Sequence, residues 1–392
     1  MPFAHSEETS LSPSWRRSVS YAGSVARATP SWERVGQASA CQKEELQPVV
    51  PFGPPRSPTT PSCLFRYFPA DDTGGMNTSL AGYEAWRERA AWADLGHRAT
   101  VVAQGPDAVR FLDNFTTAAV GPLAVGAGTE TFFTDSRGWV IALAMALRAD
   151  DGLVIDAAAG LGSRLQEHLE HYHIREQVEL IDASADIASL VIAGPAAAAW
   201  LAEQGVACVP ERRFDHAAAN IGEIAVRLVQ TDWWGVAGWL VRCAAEDHPR
   251  LRAWMQMSGL PQAAADTVEA ARIEQGTPAP VDMPEKTLPQ ELGRDARAIS
   301  FTKGCYLGQE TVARLDALGH VNRRLVAVAV EGELPPAADV MADAASMGRL
   351  TSGCHSPRFG CSLGLGILST KAATVAALTV GGRPARLVEV PG

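Results

Sequence analysis

No apolar run in this chain approaches the roughly 18 uninterrupted residues of a membrane-spanning helix. There is no Cys-x-x-Cys pair. The cysteines, Cys41, Cys63, Cys208, Cys243, Cys305, Cys354 and Cys361, are odd in number and scattered. That pattern argues against a disulfide framework and for a reducing, cytoplasmic compartment. It also argues against a resident cluster, because thiolate ligands come in closely spaced sets. Cys354, His355 and Cys361 are near one another, but their spacing matches no zinc pattern, so no metal is expected. A basic tract is missing too. With 44 acidic against 34 basic residues the net charge is −10, and no direct grip on nucleic acid or anionic membrane is expected.

What is present is an ordinary globular balance, 47% hydrophobic and 20% charged, in 392 residues, enough for two or three domains. Residues 1–75 differ from the rest. They are rich in Ser, Pro and Arg, lack a helical or strand period, and read as disordered or as a mis-annotated extension. Met76 opens the patterned part and is the expected start of translation. A transit peptide is the competing reading, but Glu7, Glu8, Glu33, Glu44 and Glu45 count against it, and a secretory signal lacks its apolar core.

Residues 76–320 contain a repeat. Thr100-Val-Val-Ala103 meets Gly105-Pro106, a helix with Ala108, Phe111, Leu112 and Phe115 on one face follows, and then a hairpin turns through Asp135 to Gly138. About ninety residues on, Ser189-Leu-Val-Ile-Ala193 meets Gly194-Pro195, a helix over 196–203 follows, and strand 224–231 turns into Trp239-Leu-Val-Arg-Cys243. Helix candidates at 161–172 and 246–257 close the two units. They suggest two related α+β subdomains packed as a pseudo-dimer, which makes a monomer the expected state. Residues 321–392 alternate short strands, such as 325–330 and 363–368, with Gly and Pro turns, as in a small all-β barrel or sandwich.

The segment after helix 265–275 carries the candidate chemistry. A long Pro-rich connection leads into Lys303-Gly-Cys-Tyr-Leu-Gly-Gln-Glu310 and a helix from Thr311 to about Leu318. A cation and a helix N-terminus both favour a thiolate, so Lys303 and Cys305 read as a reactive pair, set against the commoner fate of a lone Cys as a small buried residue. Gly304 and Gly308 let backbone approach a ligand, and Glu310 suits a first helical turn.

The run 303–310 resembles the signature of the YgfZ family, Lys-Gly-Cys-aromatic-x-Gly-Gln-Glu. Arg272-Ile-Glu274, Gly276, Asp282, Leu288-Pro-Gln-Glu291 and Phe301 fall where that family and the related glycine-cleavage T-protein place such residues. So do Asp94-Leu95, Gly105-Pro-Asp-Ala108 and Gly348-Arg-Leu-Thr-Ser-Gly353. The resemblance implies two ferredoxin-like α+β subdomains and a C-terminal barrel, arranged as a three-domain ring around tetrahydrofolate. It implies Cys305 and Lys303 as the chemical residues, and Arg272, Lys303, Gly304, Tyr306, Gln309 and Glu310 beside the cofactor.

Departures from the T-protein pattern point away from aminomethyl transfer. Phe133-Thr134 and Gly138 match, but the Asp pair that should follow falls on Ala142 and Leu143, and no acid lies anywhere in 139–147. The pterin-reading Glu falls on Val236 and an Asn on Ala157. The expected function is a tetrahydrofolate-binding accessory protein for iron–sulfur client enzymes, including tRNA-modifying ones, with the question of a catalysed reaction left open. The alternatives are a folate-dependent aminomethyltransferase or other C1-transfer enzyme, and a fold that has lost the ligand.

Overall fold

The computed structural model describes residues 80–335 and 337–391. The expected disordered extension and Met76 lie outside the described residues. Leu80–Glu88 forms α1. A first unit then runs β1 (Ala91–His97), β2 (Ala99–Gln104), α2 (Ala108–Asp113), β3 (Gly128–Thr134), β4 (Val140–Ala149), β5 (Gly152–Ala157) and α3 (Gly162–Glu170). The second runs β6 (Glu179–Asp182), β7 (Ile187–Ala193), α4 (Ala197–Glu203), β8 (His216–Ile221), β9 (Ile224–Thr231), β10 (Gly238–Ala244) and α5 (His248–Met257).

The two five-stranded sheets have orders β3-β4-β5-β2-β6 and β8-β9-β10-β7-β1. They are the same topology with the opening strands exchanged. β1 pairs antiparallel with β7 of the second unit, and β6 with β2 of the first. Each Gly-Pro marks this crossing. The backbone at Gly105 (φ 119°) and Gly194 (φ 128°) is left-handed, and a Cβ at either would lie 2.5 Å from the carbonyl oxygen of Gln177 or Arg89. Two residues on, the Asp107 and Ala196 N–H groups donate to those same carbonyls, at 3.2 and 2.7 Å. Glycine is required here by the chain that leads into the exchanged strand.

The repeat is larger than the sequence suggests. The hairpin β3–β4 corresponds by sheet position to β8–β9, not to the expected β9–β10. β5 is buried along its whole length and so has no alternation, and β8 is His-Ala-Ala-Ala-Asn-Ile, poor in strand formers.

Burial follows the strand period. On β4, Leu143, Met145 and Leu147 enter a core shared by both sheets, while Ala142, Ala144 and Ala146 face α2 and α3. The second sheet likewise turns Leu190, Ile192 and Val241 towards α4 and α5. The next helix, α6 (Ala265–Gln275), joins the parts. Val268 and Ala271 enter the shared core, while Ala270 and Ile273 pack on the barrel. The Pro-rich connection holds two 3₁₀ turns, Pro280–Asp282 and Pro289–Leu292, before α7 (Asp295–Ala298) and α8 (Gln309–Leu318).

Six strands then close a barrel: β11 (Arg323–Val330), β12 (Asp339–Ala342), β13 (Ala345–Ser356), β14 (Cys361–Ser369), β15 (Leu378–Val380) and β16 (Arg383–Val388), in the order β11-β14-β13-β12-β15-β16. The architecture is the expected one, two related α+β subdomains and a C-terminal barrel. Among the described residues no helix is long and apolar enough to cross a membrane.

Candidate functional site

Lys303 points inward from its loop. Its ammonium donates to the carbonyls of Asp113 (2.6 Å), Thr116 (2.9 Å) and Ala118 (2.9 Å), and pairs with Asp113 Oδ1 at 3.0 Å. These groups follow the end of α2, where carbonyls run out of helical partners. Burial lowers the Lys303 pKa, and Asp113 opposes the shift. The Nζ atom also lies 5.5 Å from the centroid of the Tyr306 ring. Tyr306 is buried, and burial pushes its phenol up to about 12.

The next residues fasten the loop to the first sheet. Leu307 N–H donates to Asn114 O (2.8 Å), and Thr134 Oγ1 donates to Leu307 O (2.7 Å). Gly308, with φ 83°, meets the turn at Gly138; a Cβ there would sit 2.6 Å from Asp135 O. Gln309 and Glu310 open α8, Glu310 exposed in its first turn. Cys305, by contrast, is an exposed free thiol, and its neighbour Gly304 faces open space. The loop is therefore rigidly tied on both sides of an outward-facing cysteine.

Arg272 occupies a different part of the molecule and shares no partner with Lys303. All five of its N–H groups are engaged. Nε and Nη2 reach Glu269 (2.9 and 2.5 Å), Nη1 reaches Thr277 O (2.6 Å) and Asp282 (2.8 Å), and Nη2 also reaches Ser352 Oγ of β13 (2.8 Å). Asp282 in turn accepts from Ala279 N–H (2.9 Å), Thr351 Oγ1 and Ser352 Oγ (both 2.5 Å). This network clips α6 and the Pro-rich connection to the barrel.

Beside Arg272 lies a cavity of about 20 Å³ between the sheets, walled by Leu143, Trp233, Trp234, Thr277 and Met283. Both indoles are buried. The sequence pattern missed the ion cluster behind them. Glu130 on β3 is fully buried and accepts from Arg294 (Nη2 3.0 Å, and Nε), Arg297 Nε (3.3 Å) and Trp233 Nε1 (3.0 Å). Burial alone would raise the Glu130 pKa, but the two guanidinium groups outweigh it and hold it below the usual range. The signal was a lone acid in a Thr- and Phe-rich strand, with arginines three apart beyond it.

A second cluster sits at the far edge. His216 Nδ1 accepts from Arg227 at 2.7 Å and Nε2 donates to Arg148 O at 3.1 Å. Burial, then Arg227, pushes the His216 pKa down to about 3, so the ring is neutral. Among the described residues no group of three or more His, Cys, Asp or Glu side chains is placed to hold a metal ion.

The family model for the GCVT N-terminal domain matches residues 63–303, and that for the glycine cleavage T-protein C-terminal barrel domain matches 323–391. The chain belongs to the glycine-cleavage T-protein family. It is 27% identical to an aminomethyltransferase of Thermus thermophilus over 76% of this chain and 85% of that protein. It is also 27% identical to the mitochondrial iron-sulfur cluster assembly factor IBA57 of Mus musculus, over 71% and 75%. In fold it resembles the glycine cleavage system aminomethyltransferase T of Bartonella henselae, with a TM-score of 0.69, 19% identity, and coverage of 80% of this chain and 88% of that one.

Proposed function

We propose that this T-protein-family chain is a YgfZ-type accessory protein, which supports iron–sulfur cluster assembly or repair in client enzymes, tRNA-modifying ones among them, and does not transfer aminomethyl groups. The observation that carries the reading is the contrast between two places. Where a transferase of this fold needs a carboxylate to steer protons, this chain has Ala142 and Leu143, both buried in apolar cores. Where the YgfZ-type signature lies, the thiol of Cys305 is exposed on a loop anchored by Lys303. The likeness to an iron-sulfur cluster assembly factor supports the same reading.

In this reading Cys305 is the group a client meets, as a transient cluster ligand or redox thiol. Lys303 is a positioning residue that holds the loop. Tetrahydrofolate is the ligand the resemblance implies, with Arg272 expected to contact it. The slot does not fit a pterin. Its cavity has room for about one water, and Arg272 has no N–H left to offer. No step is therefore assigned to folate.

The test is rescue. The full chain is expressed in bacteria lacking their own YgfZ-type protein, and the activity of an iron–sulfur tRNA methylthiotransferase is followed. Rescue by wild type and its loss with Cys305→Ala at equal protein level is the expected result. A folded wild type that restores nothing, yet releases ammonia from a lipoyl-bound aminomethyl group, would establish the transferase instead.

A further inference from the structure

We infer that the slot between the two sheets has become part of the protein's core, with the Trp233 and Trp234 indoles filling the space a pterin would need, and that the chain works without bound tetrahydrofolate. Ligand pockets of drug-sized molecules run to about 300–1,000 Å³. The space here is about 20 Å³.

The Trp233 indole is held as core side chains are held, and the Trp234 backbone beside it is tied down too. Trp233 donates to the buried Glu130 carboxylate at 3.0 Å, packs edge-on against Phe214 at 6.3 Å between centroids, and lies under the Arg98 guanidinium at 5.9 Å. The backbone carbonyl of Trp234 accepts from Trp86 Nε1 at 3.3 Å. Both rings belong to the core cluster that joins the sheets, and Val236, at the position of the pterin-reading Glu, packs against it.

The polar groups are equally unsuited. A pterin brings an amide and an amine that must be hydrogen-bonded once buried. The walls Leu143, Ala158 and Met283 offer no side-chain partner. Arg272, the charged wall residue, spends its donors on Glu269, Thr277, Asp282 and Ser352. The hydroxyl of Thr277 is buried without a partner, and the space of about 20 Å³ beside it has room for a water but not for a fused ring.

This inference does not depend on the accessory reading; rescue tests that reading, and ligand binding tests this one. The full chain is titrated calorimetrically with 5-formyltetrahydrofolate, a stable folate probe, beside a family aminomethyltransferase as the binding control. No saturable heat up to about 1 mM probe is expected for this chain. Saturable one-to-one binding would overturn the inference. A second measurement reads the indole itself. Trp234→Ala is expected to lower the melting midpoint by roughly 5–10 °C, as loss of a large core side chain does. A midpoint within about 1 °C of wild type would show the ring to be a free wall of a binding site and would also overturn it.

Discussion

The Lys303 ammonium stands 3.0 Å from the Asp113 carboxylate and 2.6 Å from the same residue's carbonyl, so the cation of the signature loop ends α2 instead of facing the solvent beside Cys305. The loop's two most chemical residues thus have separate tasks, anchoring and exposure.

Their substitutions should separate accordingly. Lys303→Met removes the partner of several carbonyls and of Asp113, and is expected to cost about 2–3 kcal/mol. Cys305→Ser, at an exposed position, is expected to leave stability within about 0.5 kcal/mol of wild type while abolishing rescue. Urea midpoints at constant m-value measure the first effect, and the methylthiotransferase assay the second.

The glycines of the same loop should also differ. At Gly308 the backbone is left-handed and a Cβ would meet Asp135 O at 2.6 Å. Gly308→Ala is expected to destabilise by about 1–3 kcal/mol. At Gly304 no atom lies within 4 Å of the Cβ position, so Gly304→Ala should melt with the wild type. Thermal melts of the two variants side by side provide the check.

Arg272 clips three segments through one guanidinium, and Lys cannot reproduce its planar fork. Arg272→Met leaves Asp282 and Glu269 without their cation, at an expected cost of about 3–5 kcal/mol. Because Asp282, Thr351 and Ser352 tie the Pro-rich connection to β13, proteolysis of the variant should begin between residues 277 and 289. Cleavage starting elsewhere would contradict this assignment.

His216 predicts an acid-sensitive step. Its folded pKa, about 3, lies below the value near 6.5 of an unfolded histidine. Between these values the unfolded chain binds a proton that the folded chain refuses. The contribution is complete above about pH 6.5 and is lost as pH falls towards 3, amounting to a few kcal/mol at most. In His216→Gln, which does not titrate, the fall in stability between pH 7 and pH 4 should be smaller than in wild type. Equal slopes for the two proteins would refute it.

Much of the fold was readable from local pattern. Helix 265–275 was legible in the sequence, closed by Gly276, whose backbone is left-handed. The barrel strands around 325–330 and 363–368 declared themselves by apolar runs between turns. The Gly-Pro repeat was visible too, but its reason was not. Gly105 and Gly194 answer to the carbonyls of Gln177 and Arg89, contacts made between residues far apart in the chain. β5 and β8 escaped notice, the one because both its faces are covered, the other because alanine gives no strand signal.

The sequence by itself determined the T-protein family, the absence of any acid from 139–147, and the loop that carries Cys305. Those are properties of residue identity and short spacing, which tertiary context does not alter. Only the tertiary structure decided which way each group faces. It turned Lys303 onto the end of α2, used every donor of Arg272 within the protein, exchanged β1 and β6 between sheets, and packed Trp233 and Trp234 into the core that the sheets share. Side-chain direction and the competition for hydrogen-bond partners depend on residues brought together from distant parts of the chain, and no local pattern records them.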